Sequence, residues 1–444
     1  MLFGFLPIFI TLGGGYFLFR LRAFFLFHPK KTLACVLDHC KGKNAFSRMS
    51  LALAGTLGVG NVTGVAAGIL IGGAGSVFWL LVSALFSAPL KYAESVAMLS
   101  ADAENTGARF GFPSLVRRRL GRLGAPLSGI YAALSVTLAL CMGSALQCAA
   151  AVESAHALGK GAVPKIVLLL FLFLLVLCIF GSSEKICKAT SILIPIAMIL
   201  YTILCITTIF SNISRIFSVI EFVCIDAFSF RSFAGGTVGA ALASPLKEGF
   251  LRGLLSNEAG AGTSAYAHAK GEENNPVAEG ILGMGEILFD TVILCMLTAF
   301  SILLSVEDIS AYKSGMELLS AAFSSVLGKA YRIPLLASVF LFALSTAVCW
   351  YEYGRCALSF LGHKSGALYF LIYSAFALLG AQLGSMALIP MCDAILFFLC
   401  AIALPALIKS GTAVCSLTEK TLHIGKGFRR RDARGSPKKY EIRF

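Results

Sequence analysis

The chain has 444 residues, of which 57% are hydrophobic and only 14% are charged. A soluble protein carries about a quarter charged residues, so the composition excludes an ordinary soluble domain and indicates a membrane protein. The net charge of +14 is concentrated in alternate loops and in the C-terminal tail. That distribution is typical of the alternating loops of a membrane protein and argues against nucleic-acid binding.

Apolar runs of about 20 residues, long enough to cross the hydrocarbon core of a bilayer, recur along the chain. They predict an all-α polytopic membrane protein with about eleven transmembrane helices, of which the seventh has the weakest pattern. We expect a transmembrane domain over residues 1–410 and a basic cytoplasmic tail over residues 411–444. The predicted spans are Leu2–Phe19, Met49–Ile71, Val77–Leu99, Pro126–Val152, Ile166–Phe180, Ile192–Phe210, Phe233–Leu246, Val277–Leu304, Ile333–Tyr353, Ala367–Met386 and Pro390–Ile408.

Basic residues such as Arg20, Lys30, Arg117 and Lys438 crowd the loops after the first and third spans and the tail. The positive-inside rule places these segments in the cytoplasm. Eleven spans then put the N-terminus outside and the C-terminus inside, and we expect a multi-pass protein of the plasma (inner) membrane. The tail is expected to lie against anionic lipid headgroups. No pattern implies an organic cofactor, a nucleic acid or an obligatory protein partner.

The second span contains a segment that is built to interrupt a helix, LAGTLGVGNVTG at Leu53–Gly64. Gly55, Gly58 and Gly60 favour unwinding, and the amide of Asn61 lies among them. Irregular backbone at membrane depth is tolerated only where it lines a cavity or is buried in protein. This segment therefore predicts a protein that moves a solute across the membrane.

Unwinding at this point exposes carbonyl oxygens on one side and N–H groups on the other. The carbonyls of Ala54 and Leu57 would offer hard oxygen ligands to a small cation. The N–H groups of Val59, Gly60 and Asn61 begin a new half-helix, whose positive end suits a carboxylate. The alternative is that the glycines only permit close helix packing.

A second glycine-rich segment, Gly235–Gly239, opens the seventh span, five spans after the first. Interrupted helices at corresponding positions of two halves are typical of inverted-repeat transporters, whose binding site lies between them. The pair together therefore predicts a transporter.

The seventh span continues into a polar, glycine-punctuated segment, Lys247–Ala269, which we expect on the cytoplasmic side. It could serve as a hinge or an inner gate, with Glu258 pairing to Arg252 or Lys247. The alternative is an ordinary helix end with a glycine cap at Gly260.

Three stretches carry a family resemblance: Leu53–Ser95, RGLLSNEAGAGTSAYAHA at Arg252–Ala269, and FALSTAVCWYEYGRCALSFLG at Phe342–Gly362. They resemble the signature stretches of the alanine/glycine:cation symporter family, and the similarity continues in order to Pro390–Ile408. The resemblance implies sodium-driven uptake of small neutral amino acids. It also implies a LeuT-type inverted repeat of five plus five helices with one extra N-terminal helix.

The resemblance further implies a sodium site between the first broken helix and the ninth span. Its backbone ligands would come from Ala54 and Leu57, and its hydroxyl ligands from Ser345 and Thr346, with the Phe342 carbonyl as a further ligand. The alternative is that the two hydroxyls bond to carbonyls of their own helix, as membrane hydroxyls commonly do.

For the amino acid, the resemblance implies a carboxylate at Val59, Gly60 and Asn61 and an ammonium at the carbonyls of Gly235, Gly236 and Thr237. Gln147 matches a polar position that faces the site in this family. Trp350 would form a wall that limits the pocket to a small substrate. The alternative for Trp350 is an aromatic residue at the membrane interface.

Carboxylates inside the spans bear on the coupling ion. Glu286 and Asp290 lie four residues apart in the eighth span, and Asp393 begins the eleventh. A protonatable carboxylate facing the cavity could couple transport to protons. We expect Asp290 and Asp393 instead to cap or brace helices near a membrane interface, and sodium to be the coupling ion.

Several family features are altered, among them Ala74 in place of a proline, an unusual Pro89, and Arg355 where an acidic residue is expected. They leave open a divergent or narrowed substrate specificity. The sequence thus predicts a secondary transporter, not an enzyme, that carries alanine or glycine into the cell with sodium. The alternatives are a proton-coupled amino-acid symporter and, with less support, a channel or a membrane enzyme.

Overall fold

A computed structural model of the chain describes residues 6–39, 53, 55–103, 111–159, 161–179, 183–228, 245–263, 266, 275–363 and 366–422, and these residues form helices and connections without a strand. The helices are numbered here in chain order. They are α1 Leu6–Arg20, α2 Phe24–Phe27, α3 Pro29–His39, α4 Thr63–Gly72, α5 Gly75–Ala103, α6 Phe112–Arg119, α7 Gly121–Ala155, α8 Ala162–Ile179, α9 Ser183–Ser211, α10 Ile216–Ala227, α11 Pro245–Asn257, α12 Pro276–Ser305, α13 Gly315–Leu327, α14 Arg332–Phe360, α15 Gly366–Leu383 and α16 Ser385–Leu422.

Eight helices in the described part of the chain are long and apolar enough to cross a membrane, namely α5, α7, α8, α9, α12, α14, α15 and α16. The all-helical membrane fold is therefore confirmed. The first predicted span is the shorter apolar helix α1, and the second contains the break that leads into α4. The seventh, Phe233–Leu246, falls almost wholly on residues outside those described. The count of eleven stays a prediction.

The last two spans divide at a different residue from the one predicted. Gly384 has φ +77°, which only glycine adopts without strain, and α15 ends just before it. Met386, placed by the sequence in the tenth span, therefore belongs to α16. Since α16 continues to Leu422, it runs past residue 411, where the sequence placed the start of the tail. The division into two domains stays a prediction.

Helix α5 is the axis against which α1, α11 and α12 pack. The packing with α11 is close because two glycines of α11 face it. A Cβ on Gly249 would lie 2.5 Å from the Ser76 carbonyl oxygen, and one on Gly253 would lie 2.1 Å from the Ser83 hydroxyl. Small residues allow helix backbones to approach within the bilayer, where the hydrophobic effect does not drive helices together.

Helix α14 is the most enclosed of the long helices, with 72% of its most apolar window buried, against 22% for α15. It packs on α7 and α9. Outward-facing apolar side chains such as Leu169, Phe173 and Leu371 would be a liability in water and are appropriate in lipid. The exposed and enclosed helices thus separate a lipid-facing rim from an interior that can carry polar groups.

Two of the long helices widen into π-helical segments, Ala139–Leu146 within α7 and Leu288–Cys295 within α12. A π-turn leaves backbone groups with altered partners and is frequent at functional sites. Gln147 follows the first segment directly, and Asp290 lies within the second.

The sequence analysis did not predict the short helix α13. Its start is capped by side chains, because Ser314 accepts the N–H of Glu317 at 3.2 Å and Glu317 accepts the N–H of Lys313, one residue before the N-cap, at 3.1 Å. Gly315 then lies against α4, where a Cβ would be 2.7 Å from the Thr63 carbonyl oxygen. Helix α13 therefore supports the half-helix that follows the first break.

Replacement of Gly380 by Ala should destabilise the packing of α15 on the π-helical segment of α7. A Cβ on Gly380 would lie 2.1 Å from the Ala145 carbonyl oxygen, and overpacking of this kind costs about 1–3 kcal/mol. We expect a lower apparent melting temperature of the purified protein in detergent. Gly129→Ala is the matched control, because nothing lies within 4 Å of that Cβ. Equal melting temperatures for the two variants would contradict the described packing.

Candidate functional site

The break predicted in the second span is present between residue 53 and α4. Gly58 is extended, with φ −114° and ψ −166°, and a single 3₁₀ turn at Val59–Asn61 leads into α4. Atoms of other helices approach the glycines closely. A Cβ on Gly58 would lie 3.0 Å from the Thr346 hydroxyl, and one on Gly60 would lie 3.1 Å from the Leu255 carbonyl oxygen. The glycines thus let α14 and α11 meet at the break.

The carbonyl side of the break faces α14. The Thr346 hydroxyl donates to the Leu57 carbonyl at 3.3 Å, and Trp350 Nε1 donates to the Gly55 carbonyl at 3.2 Å. The hydroxyl of Ser345 instead donates to the carbonyl of Phe342 in its own helix at 3.0 Å. Two pairs of the predicted sodium ligands therefore lie in contact, Leu57 with Thr346 and Ser345 with Phe342. Ala54 lies outside the described residues.

Gln147 connects α7 to the N–H side of the break. Its Oε1 accepts the N–H of Val59 at 3.3 Å, and its Nε2 donates to the Met142 carbonyl of the π-helical segment at 3.0 Å. The side chain is 1% exposed, so it faces the interior as predicted. Gln147 thus occupies the position against Val59 that was predicted for the substrate carboxylate. The N–H of Asn61 bonds within the turn, to the Gly58 carbonyl at 3.3 Å.

Trp350 lies inside the helix bundle and not at a lipid-facing interface, because its side chain is fully buried. Gly143 in the π-helical segment of α7 makes room for it, since a Cβ there would lie 2.2 Å from the Trp350 Cβ. The indole packs against Tyr353 with ring centroids 5.3 Å apart. The interfacial alternative for Trp350 is therefore wrong.

The side chain of Asn61 belongs to a polar cluster that the sequence analysis did not assemble. Its Nδ2 donates to Asp290, and its Oδ1 accepts from Ser256 at 3.1 Å. Ser256 also lies 2.5 Å from Asp290 Oδ2, and Thr298 donates to the Asn61 carbonyl at 2.9 Å. All four side chains are buried. Asp290 therefore braces the broken helix inside the bundle.

A second break lies directly against the first, at Glu258–Thr263, where α11 ends. Glu258, Gly260 and Gly262 all have positive φ values, of 57°, 93° and 78°. Helix α5 holds this segment: Glu94 Oε1 accepts the N–H groups of Gly260 and Gly262, the latter at 3.2 Å. These contacts satisfy backbone groups that would otherwise lie unpaired at membrane depth.

Lys91, also on α5, holds the last carbonyl of α11. Its Nζ donates to the Asn257 carbonyl at 2.7 Å and lies 3.5 Å from Glu286 Oε2. The Asn257 side chain donates to Thr291 at 3.1 Å, and Thr291 donates to Asp290 at 3.0 Å. A continuous polar chain therefore leads from the second break to the Asn61 cluster at the first.

The position of α11 bears on the expected placement of Lys247–Ala269 beside the basic loop, whereas its role as a hinge or an inner gate stays a prediction. The contacts of Gly249 with Ser76 and of Gly253 with Ser83 place α11 beside the Gly75 end of α5. The basic loop follows the opposite end of α5, so these residues are remote from it. Lys247 and Arg252 pair with Glu248, at 3.6 and 3.3 Å. The predicted pairing of Glu258 with either of them is wrong, because Glu258 accepts from Thr263 at 2.5 Å.

The model described as the sodium:alanine symporter family matches residues 1–434. The chain belongs to this family. It is a transporter and not an enzyme, and the family resemblance inferred from its motifs is confirmed.

Three relatives indicate the range of named activities in this symporter family. The chain is 28% identical to the sodium/alanine symporter AgcS of Methanococcus maripaludis, over 84% of this chain and 83% of that one. It is 29% identical to the probable sodium/glutamine symporter GlnT of Bacillus subtilis, over 80% and 74% of the two chains. It is 28% identical to the putative sodium/proton-dependent alanine carrier YrbD of the same organism, over 80% and 75%.

Sequence reasoning on this symporter missed the second break at Glu258–Thr263 and the cluster that Ser256 and Asp290 form with Asn61. The segment SNEAGAG contained a usable pattern, because two glycines two residues apart follow a polar helix end. The predicted ammonium ligands Gly235, Gly236 and Thr237 lie outside the described residues.

Replacement of Ser256 by Ala should weaken the contact between the two breaks. The hydroxyl bridges Asn61 and Asp290, and loss of a buried hydrogen bond that leaves a partner unsatisfied costs about 1–3 kcal/mol. We expect a lower apparent melting temperature in detergent than for Ser410→Ala, whose hydroxyl bonds only to the Ala406 carbonyl of its own helix. An equal shift in both variants would show that Ser256 does not connect the two breaks.

Proposed function

We propose that the protein imports a small neutral amino acid, alanine or glycine, by symport with sodium. The observation that carries this proposal is the meeting of the Leu57 carbonyl and the Thr346 hydroxyl beside the Val59 N–H, at one helix break. Uncharged hard oxygens suit sodium, and an N–H at the start of a half-helix suits a carboxylate. Ser345, Phe342 and Ala54 complete the proposed cation site.

We assign the fold to the LeuT type, an inverted repeat of five plus five helices after one extra N-terminal helix. The contacts of the two half-helices support this, because Gly60 lies near Leu255 while Gly68 lies near Arg252, so α4 and α11 run antiparallel. Broken helices paired in this way are typical of inverted-repeat transporters. The distribution of Lys and Arg supports a plasma (inner) membrane location with the N-terminus outside and the C-terminus in the cytoplasm.

The substrate carboxylate is proposed to bind the N–H groups of Val59 and Gly60, next to the amide of Gln147. Because Gln147 Oε1 accepts the Val59 N–H, this amide must turn, and its Nε2 can then donate to the carboxylate. Asn61 is proposed to position the turn through its side chain. The ammonium is assigned to the carbonyls of Gly235, Gly236 and Thr237, and the buried ring of Trp350 favours a short side chain.

Coupling follows from the proximity of the two proposed sites. Sodium at Leu57 and Thr346 would draw the broken helix against α14 and fix the turn at Val59–Asn61 that receives the carboxylate. Each ligand then raises the affinity for the other by the same factor, as linkage requires. Rocking of one helix bundle against the other would open the opposite side of the membrane.

Uptake of a panel of radiolabelled amino acids into proteoliposomes tests the proposal. We expect accumulation of alanine and glycine with an inward sodium gradient, no accumulation when that gradient is collapsed, and persistence when a protonophore removes any pH gradient. Longer substrates such as glutamine should compete poorly. Sodium-independent accumulation would refute sodium coupling, and a preference for glutamine would refute the assigned substrate size.

Thr346→Val should raise the sodium concentration for half-maximal uptake by about tenfold, since a ligand worth about 1.4 kcal/mol changes affinity by that factor. Thr137→Val is the matched control, because the Thr137 hydroxyl is exposed and bonds only to the Ala133 carbonyl of its own helix. Unchanged sodium dependence of Thr346→Val would remove Thr346 from the cation site.

A proton-coupled symporter is the second candidate, favoured by one observation: Asp290 is fully buried and contacts the broken helix through Asn61. A carboxylate inside a membrane bundle often carries a transported proton. Under the sodium proposal, Asp290→Asn weakens substrate affinity and preserves the sodium dependence. Under proton coupling, a pH gradient drives uptake by the unaltered protein without sodium. Asp290→Asn then abolishes that uptake while substrate exchange continues.

A further inference from the structure

A groove of about 680 Å³ lies between α5 and α12, apart from the site at the two breaks, and Phe25 of α2 and Pro29 and Thr32 of α3 also line it. Apart from Thr32 and Glu286, the side chains that line it are apolar. Both α5 and α12 are long and apolar enough to cross the membrane. The volume lies within the range of pockets that hold small molecules, about 300–1,000 Å³.

The groove opens toward the hydrocarbon of the bilayer and is about as long as one leaflet is deep. Four of its lining residues are exposed apolar side chains on the two spans, namely Leu81, Leu85, Leu288 and Phe289. On α12 the lining runs from Ile281 to Val292, which is about 16 Å along the helix axis. Half the thickness of the hydrocarbon core is about 15 Å. The dimensions therefore match an acyl chain that lies along the protein in one leaflet.

Helices α2 and α3 mark the headgroup end of the groove. Phe24 of α2 packs against Tyr92 of α5 with ring centroids 5.1 Å apart, one turn beyond Ala88, the last α5 residue that lines the groove. Lys30 and Lys31 lie in the first turn of α3, between the two α3 residues that line the groove, and both are exposed. The positive-inside rule puts this end of the groove in the cytoplasmic leaflet.

Shape and charge together select the ligand. An acyl chain can fill an apolar groove that is open to lipid, and an anionic headgroup at its end meets two ammonium groups on flexible stems. A zwitterionic headgroup brings its own positive charge to the same lysines, so it gains less. A free phosphate would leave the apolar groove unfilled.

We propose that this groove binds an anionic phospholipid of the cytoplasmic leaflet, with one acyl chain between α5 and α12 and the phosphate at Lys30 and Lys31. The inference goes beyond the proposed function, which concerns only the transported amino acid and the cation.

A lipid in this groove would contact the segments that lead to both breaks. Leu53 lines the groove, and its carbonyl accepts the N–H of Leu57 at 2.6 Å at the start of the first break. Glu286 also lines it and lies 3.5 Å from the Nζ of Lys91, which holds the last carbonyl of α11 at the second break. The bound lipid would therefore support the two irregular segments from the side of the bilayer.

Native mass spectrometry of the purified full-length protein, titrated with dioleoylphosphatidylglycerol in detergent, tests the proposal. We expect one tightly bound lipid per chain. Its affinity should exceed that of dioleoylphosphatidylcholine by about thirtyfold, the factor expected from two basic residues at an anionic headgroup.

Gly285→Phe tests the groove. Gly285 lines it, and nothing lies within 4 Å of a Cβ at that position, so the added ring enters open space and should remove the tightly bound lipid. Gly129→Phe on α7 is the matched control, because its Cβ also has nothing within 4 Å and Gly129 does not line the groove. The control should keep the lipid.

A pair of charge variants tests the headgroup end. Lys30→Gln combined with Lys31→Gln should bind the two lipids with nearly equal affinity. Lys313→Gln combined with Lys329→Gln removes the same charge from exposed residues on either side of α13 and should preserve the preference for phosphatidylglycerol. This comparison decides the matter if Gly285→Phe does not give a monodisperse protein.

Several outcomes would overturn the inference. Equal affinity of the unaltered protein for the two lipids refutes the role of the lysines, and a tight lipid retained in Gly285→Phe refutes the groove. Displacement of the lipid by glycerol phosphate, which has no acyl chain, identifies a site for free phosphate instead. A dimer without bound phospholipid identifies a second copy of the chain as the occupant. Because the readout is bound lipid, a failure of sodium-driven uptake overturns only the proposed function.

Discussion

The constraint on which the structure depends is that the backbone groups of two interrupted helices must find partners without water. At the first break, Gln147 accepts the N–H of Val59 and Thr346 donates to the carbonyl of Leu57. At the second, Glu94 accepts two N–H groups while Lys91 donates to the Asn257 carbonyl. Each unpaired group would cost several kcal/mol in hydrocarbon. The polar side chains of α5, α7 and α14 therefore serve first to satisfy the hydrogen bonds of irregular backbone. The same side chains are the groups available to bind a ligand.

The helices that supply these partners are themselves irregular where they do so. The π-helical segment of α7 turns its Met142 carbonyl toward Gln147, which fixes the orientation of that amide. The π-helical segment of α12 carries Asp290, which holds Asn61 and Ser256 together. Glycines then bring these elements within contact distance, as Gly58 does for Thr346. The site is therefore formed by four irregular helices that pack closely against one another. A substitution in one helix changes the packing of the others.

The sequence predicted what local composition can encode. The glycines of the first break, the inward-facing amide of Gln147 and the contact of Leu57 with Thr346 follow from residue type, hydropathy and family resemblance. The second break was harder to predict. A cluster of glycines such as Gly235–Gly239 indicates only that the backbone is free to bend. The break at Glu258–Thr263 is instead held by hydrogen bonds to Glu94 and Lys91 on α5. The ion pair of Arg252 with Asp393 joins residues 141 positions apart, which spacing cannot reveal. The residues that sequence reasoning missed are therefore those whose roles depend on tertiary contacts.

The charges at the first break give a physical reason for the proposed coupling between cation and substrate. The atoms brought together at Leu57 and Thr346 are uncharged oxygens. These two ligands would therefore not neutralise the charge of a cation bound there. Val59 is two residues further on, so a carboxylate at its N–H would lie about 6 Å from that cation. Opposite unit charges at this distance attract by about 3 kcal/mol at an effective dielectric constant of 20. That attraction is at the upper end of typical coupling energies between sites, about 1–3 kcal/mol. The ammonium of a bound zwitterion lies farther from the cation than the carboxylate and offsets part of this attraction, so electrostatics would favour joint binding by less than this value.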